Sequence, residues 1–317
     1  MSHSRLRQLQ TQAQQLGRAQ CRALIHALQV HLQASQSVEV IEQHALQQAV
    51  CPHCHGTRLV RNGTADGLQR YKCRSCARTF NALTGTPLAR LRHKDKWLDQ
   101  AAALAQGLTV KQAAQQLAVA PSTAFRWRHR FLSLPRQRKP HALAGVVEID
   151  ETYVRRSFKG RPVLERPPHQ RGGRACMAGL SREQIPVLVA RDRHGSTTDH
   201  ILPDHGKPPI VEFLAPLLPA DAVVCTDGGS SLGHALRDLK LQHHCVPASA
   251  GRHVDGAWHI QNVNAYHSRL KLWLRRFHGV ATRYLANYLG WFRALEATAA
   301  GPAQPASLLA LAIDPSR

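Results

Sequence analysis

Four cysteines carry the plainest chemistry in the chain. Cys51-Pro-His-Cys54 and Cys73-Arg-Ser-Cys76 are two Cys-x-x-Cys knuckles separated by eighteen residues. Four thiolates delivered by two such knuckles close a tetrahedral site for Zn2+, and the spacing predicts a zinc ribbon over 47–82. All four positions on the metal are then sulfur, so this Zn2+ is structural, and in so small a unit its binding is part of folding. Between the knuckles, apolar and basic residues alternate around Asn62-Gly63, which predicts a short hairpin turning there. His53 and His55 read as solvent-facing basic residues. Arg58, Arg61, Arg70, Lys72, Arg74 and Arg78 make the ribbon surface a phosphate-contacting face.

Two aspartates stand where a carboxylate is costly. Asp150 lies inside the mostly apolar run Val146–Val154, and Asp227 ends the apolar run Ala222–Thr226 before Gly228-Gly229. Desolvation penalises both unless a cation or hydrogen bonds compensate. If they converge, they can bind Mg2+, a hard cation that prefers oxygen, and the Gly-Gly turn lets a ligand approach. Taken singly, each is equally a strand-end cap. Ser230 and Tyr153 read as packing or phosphate contacts rather than nucleophiles. The loop Arg155–Arg161, with Arg156 and Lys159, is dense in positive charge and is expected to grip DNA, the alternative being a solvated hairpin tip. His243-His244-Cys245 looks metal-like but lacks a fourth ligand. Cys21, Cys176, Cys225 and Cys245 have no partner spacing and are expected to be buried or inert.

The elements around these residues are set in a very basic chain. Forty-two Lys and Arg against 20 Asp and Glu leave +22 over 317 residues, an excess that repels itself unless a polyanion neutralises it. Biased genome composition is the competing explanation for so many arginines. Hydrophobic residues at 43% and charged residues at 20% argue against wholesale disorder. No stretch approaches the roughly 20 apolar residues that span a bilayer. The first residues lack the apolar core of a secretory signal, and the cysteines form no disulfide framework, so a reducing, cytoplasmic home without membrane attachment is expected.

Residues 1–46 read as helix, a cap, dimerising element or DNA-contacting arm. In 93–133 the pattern is that of a helix-turn-helix. Thr109 can cap a helix to Leu117, Ala118–Pro121 is a short turn, and Ser122 can cap a second helix. Ala124, Trp127 and Phe131 share one face of that helix, while Ser122, Arg126 and Arg130 share another that suits the DNA major groove, with Thr123 beside them. A helical hairpin packed on the next domain is the bland alternative. Residues 134–144 read as a linker, 145–298 as a domain of short β runs followed by long helices, and 299–317 as a weakly structured tail. The whole is an α+β multidomain chain.

The ordered blocks "CPHC…CRSC", "EIDETYV", "CTDGGSS" and "HIQNVNAYHSRLKLWLRRFHGVATRYLANYLGW" resemble those of bacterial insertion-sequence transposases of the DDE superfamily that carry an N-terminal zinc ribbon, the ISXO2-like branch, over roughly residues 48–296. The resemblance implies a ribonuclease-H-like catalytic domain with a central mixed sheet flanked by helices. It implies Asp150 and Asp227 as acidic ligands of Mg2+ (or Mn2+). Where the superfamily's plain pattern has Glu, this chain has Asn264, followed seven residues later by Lys271, as in the Asp-Asp-Asn-Lys relatives. Asn264 is then a neutral, weaker third ligand and Lys271 a phosphate contact, with Asp255 and His259 as lesser candidates. The resemblance further implies a nucleoid-associated bacterial enzyme that binds element ends and target DNA, works as a homodimer in the synaptic complex, and cuts and joins strands by metal-dependent phosphoryl transfer. A transposase-derived DNA-binding protein without catalysis is the alternative. A simple ribonuclease-H-like nuclease fits poorly with two upstream DNA-recognition modules.

Overall fold

The chain divides into two compact units, one formed by Met1–Leu134 with Ala303–Pro315 and the other by Pro135–Pro302. The computed structural model describes residues 3–47, 50–161, 181, 183–204, 206–246, 254–297 and 304–314; Cys176 lies outside them.

The first unit opens with α1 (His3–Gln14) and α2 (Arg18–Gln47). Only the second half of α2 enters a core, through Ser37 and Ile41; Leu24, Ile25, Leu28 and Leu32 in its first half stay exposed. An antiparallel sheet follows in the order β1 (Leu59–Ala65), β2 (Leu68–Cys73), β3 (Thr79–Asn81). The β1–β2 turn is at Asp66-Gly67, not at Asn62-Gly63: Ala65 pairs with Leu68, while the register slips by one between Arg61 and Thr64. Asp66 and Gly67 both have positive φ, as a two-residue primed turn requires, and Gly63 with φ of 70° takes the bulge.

After a short 3-10 turn at Lys94–Lys96 come α3 (Trp97–Ala105), α4 (Val110–Gln116) and α5 (Pro121–Phe131). Thr109 and Gln112 close a reciprocal capping box on α4. The start of α5 differs from expectation. Pro121 occupies its first turn, with φ preset for a helix, so Ala120 is the cap residue and Ser122 already lies inside. Ala103, Ala113, Leu117 and Trp127 form the core that locks the three helices together.

The second unit is built on a five-stranded mixed sheet. Its elements are β4 (Val146–Arg155), β5 (Gln184–Asp192), β6 (Thr197–Ile201), α6 (Lys207–Leu214), β7 (Val223–Thr226), α7 (Ser230–Asp238), β8 (Gln242–Cys245), the small pair β9 (Val254–Asp255) and β10 (Trp258–His259), α8 (Gln261–Arg275) and α9 (Leu285–Ala297). The strand order is β6-β5-β4-β7-β8, antiparallel from β4 to β6 and parallel from β4 to β8. One sheet face packs Val147, Ile149, Leu188, Ala190 and Val224 against Ile210 and Leu214 of α6 and Leu232, Ala235 and Leu236 of α7. The alternate residues of β4 face the other way, toward α8. Trp273 of α8 meets Trp291 of α9 edge-on, ring centroids 4.9 Å apart, which joins the two helices.

Residues 135–138, expected as linker, are held by the second unit. Arg293 of α9 donates to the carbonyls of Arg136 and Arg138, each at 3.1 Å, and pairs with Asp199. Gly290 allows this approach, since a Cβ there would lie 2.3 Å from the Arg136 Cα. The chain ends in α10 (Pro305–Ile313), whose Leu308, Leu309, Ala312 and Ile313 are buried against the first unit, with α3 its main contact. The weakly structured tail expected after 299 is therefore, over these residues, a core helix.

Candidate functional site

The parallel pairing of β4 with β7 aligns Val147 with Val224 and Glu148 with Cys225. Continued two residues past the last paired position, that register brings Asp227, just beyond the end of β7, level with Asp150 in the middle of β4. Asp150 is partly buried and accepts from the Glu151 amide at 2.8 Å. Asp227 is exposed and accepts from Gly229 N–H at 3.1 Å. Gly228 between them has φ of 93°, and a Cβ on it would meet Cys245 Sγ at 2.5 Å, so this turn admits only glycine. Tyr153, donating to Glu151 at 2.8 Å, has its phenol pushed above its usual range by burial, by that hydrogen bond and by the charges of Glu151, Asp150 and Asp227. The carboxylates thus share one field.

Across the sheet face runs α8. Val263, Tyr266, His267 and Leu270 are buried, and Asn264 and Lys271, seven apart, are exposed together on the flank of the helix next to His267. His267 was not singled out in the sequence, yet its Nδ1 lies 3.4 Å from Asp150 Oδ2. Glu148 was missed as well. It is fully buried and accepts from Asn262 N at 2.7 Å, Asn262 Nδ2 at 2.8 Å and Val263 N at 3.0 Å. Arg193 Nε and His259 Nδ1 each lie 3.3 Å from its Oε1. His259 is therefore engaged with Glu148, while Asp255 is exposed on β9. The available signal was the Glu-x-Asp spacing, which puts both acids on one face of a strand.

The basic loop after β4 is anchored to the segment before α9. Ser157 N–H donates to Thr282 Oγ1 at 2.9 Å, and Thr282 N–H donates back to Ser157 O at 3.0 Å. Arg155 and Arg156 are partly buried and Lys159 is exposed, with Arg283 reaching within 3.0 Å of a Cβ built on Gly160. Ser230 begins α7 directly after the Asp227 turn. His243 bonds Thr226 Oγ1 at 2.7 Å and His244 stacks on Trp258 at 4.0 Å, so both have packing roles. Cys225 is buried, Cys21 is partly buried and Cys245 is exposed, all of them free thiols.

In the first unit the sulfurs of Cys51, Cys54, Cys73 and Cys76 all lie within 4.8 Å of one another, the one cluster of three or more His, Cys, Asp or Glu among the described residues that could hold a metal ion. Backbone N–H groups turn toward the knuckles, and donation from the Cys76 amide helps lower the Cys73 thiol to about 6. On α5, Ser122 and Arg126 are exposed and Thr123 is partly so. Arg130 is exposed as well, and it donates to the carbonyls of Pro87 at 2.5 Å and Ala89 at 3.1 Å. Arg128 is buried and donates to Leu108 O at 2.6 Å, tying α5 to the turn before α4.

Residues 142–293 match the family described as ISXO2-like transposase domain, and residues 90–136 match the homeodomain-like domain. A protein of Halobacterium salinarum, described as an uncharacterized protein in transposable element ISH50, is 32% identical over 257 residues, which cover 77% of this chain and 83% of that protein. A chain in the crystal structure of a pre-cleavage Mos1 transpososome aligns with 63% of this chain and 77% of its own length at 14% identity, with a TM-score of 0.22, too loose a superposition to bear on the fold. No helix among the described residues is long and apolar enough to cross a membrane. With a match to the ISXO2-like transposase domain, a homeodomain-like module before it, and a transposable-element relative matched over most of its length, the chain belongs to the insertion-sequence transposases of the DDE superfamily, ISXO2-like branch.

Proposed function

We propose that the chain is an active transposase that binds insertion-sequence ends and cuts and joins DNA strands at a site formed by Asp150, Asp227 and Asn264. The observation that carries this reading is the continued β4–β7 register, which sets two carboxylates side by side in a basic chain. The sheet order, with a central β4 antiparallel on one side and parallel on the other, supports a ribonuclease-H-like domain. The donor set fits Mg2+ or Mn2+: two carboxylates and an amide oxygen, all hard ligands. Asp227 uses Oδ1 for Gly229 N–H, which leaves Oδ2 for a cation. Such ions, when bound, neutralise charge on the scissile phosphate and its leaving oxygen. Lys271 and the loop carrying Arg155, Arg156 and Lys159 hold DNA phosphates beside the site. Target DNA and a second copy of the chain complete the reaction, on bacterial DNA in the cytoplasm.

The four-cysteine unit is a zinc ribbon. Zn–S bonds of about 2.3 Å in a tetrahedron separate sulfurs by about 3.8 Å, and the Cys51–Cys76 and Cys54–Cys73 pairs are at 3.7 and 3.6 Å. In DNA binding, Ser122, Thr123 and Arg126 reach base edges, while Arg130 holds the module together.

The deciding measurement is cleavage and strand transfer on a labelled element end with Mg2+ or Mn2+, run beside a gel shift of the same proteins. Asp150→Asn and Asp227→Asn are expected to lose cutting by several orders of magnitude and to keep end binding. Asn264→Ala is expected to lose less, since it removes a neutral ligand. Wild type that binds ends and cuts with neither metal refutes the reading in favour of a binding-only protein.

A further inference from the structure

We infer that Glu148 is a positioning residue for this site: by capping α8 from β4, it fixes Asn264 and His267 against the strand that carries Asp150. The inference rests on the reading just proposed for Asp150, Asp227 and Asn264. A carboxylate with 0% exposure is strongly unfavourable without compensation, and this one receives it from three N–H donors and the Arg193 guanidinium. Three N–H groups of Asn262 and Val263 donate to it at 2.7–3.0 Å, with Arg193 and His259 beside its Oε1. The helix has no cap of its own. Ile260 stands at its cap position without a side-chain bond, and its first turn holds no acidic residue. Glu148 thus satisfies the open amides of the first turn and complements the positive end of the helix dipole, although it lies 114 residues away in sequence.

The cap is half of a two-point clamp. Glu148 and Asp150 project from the same face of β4, about 6.7 Å apart along the strand. Asn262 and His267 are about 7.5 Å apart along α8. Glu148 meets Asn262, and Asp150 Oδ2 meets His267 Nδ1 at 3.4 Å, in the same order along both elements. Two rigid elements of nearly matched rise, touching at two points, cannot slide past one another. Asn264 lies between those points on α8, so its height over the sheet follows from where Glu148 holds the first turn.

The test uses the full chain loaded with Zn2+ and titrated with Mn2+, following bound Mn2+ by paramagnetic resonance and backbone order by amide hydrogen exchange. Glu148→Gln sets an NH2 group among donors that require an acceptor. It is expected to weaken Mn2+ binding by about tenfold or more, the usual effect of losing a group that orients a metal ligand. Exchange should rise at Asn262 and Val263 and stay at the wild-type level in β5 and at Leu270–Trp273. Adding Asn262→Asp to Glu148→Gln returns a carboxylate opposite the new amide and should restore most of the lost affinity, which a purely structural role does not predict. Asn262→Ala removes one bond at an exposed side chain, so it tests the idea even if Glu148→Gln does not fold; it should give a smaller loss of the same sign. Wild-type affinity and exchange in Glu148→Gln, or in Asn262→Ala, overturns the inference, as does a double variant no better than the single. A wild-type chain whose Mn2+ binding is indifferent to Asp150→Asn overturns instead the assignment of the cation site on which the inference rests.

Discussion

Removing α10 should disable DNA binding while sparing the sheet that carries Asp150 and Asp227. The helix follows the second unit in sequence, yet Leu308, Leu309, Ala312 and Ile313 are between 0 and 5% exposed in the first. Burying a Leu or Ile side chain contributes roughly 1.5–3 kcal/mol, so the three large residues together contribute about 5–9 kcal/mol. A whole domain is stable by only about 5–15 kcal/mol. Truncation before Pro305 therefore removes most of the margin of the first unit, and Leu309→Ala alone should cost about 2–5 kcal/mol, since its site is fully enclosed. Trp97 and Trp127 lie in this unit and report on it by fluorescence. The truncated chain should show an early unfolding transition, loss of end binding in a gel shift, and a second transition near the wild-type temperature. If it melts as wild type does and binds ends with unchanged affinity, the burial argument fails.

Two further outcomes follow from the first unit. Purified under reducing conditions, the chain should hold one tightly bound Zn2+, and Cys54→Ser or Cys73→Ser should lose it and loosen residues 50–81 while the second unit keeps its fold, read by metal analysis and hydrogen exchange. Arg126→Ala should cost about 1–3 kcal/mol on the specific end and much less on random DNA. Arg130→Ala should instead lower the unfolding temperature and weaken both kinds of DNA alike, because its guanidinium holds Pro87 and Ala89; equal, small effects of the two arginine changes would refute the distinction.

What the sequence determined by itself is what depends on near neighbours. The Cys-x-x-Cys knuckles are legible because a metal site constrains residue type and short spacing together. The Thr109–Gln112 capping box is legible because both partners lie within one turn. β5 and β7 announce themselves because a strand covered on both faces needs apolar residues nearly throughout, and β4 because Val147 and Ile149 alternate with polar residues. The turn at Asp66-Gly67 was open to misreading, since Asn62-Gly63 offers similar local chemistry; the pairing of β1 with β2 chose between them. β6 and β8, spelled Thr-Thr-Asp-His-Ile and Gln-His-His-Cys, carry little strand signal and exist because β5 and β7 offer them hydrogen-bonding edges. The tertiary structure alone decided that Arg130 turns to a loop 43 residues back, that a helix after the second unit completes the first unit's core, and that Glu148 caps α8. Each of these joins groups far apart in the chain, and no periodicity or local propensity encodes a partner that only the closed sheet and packed helices bring within bonding distance.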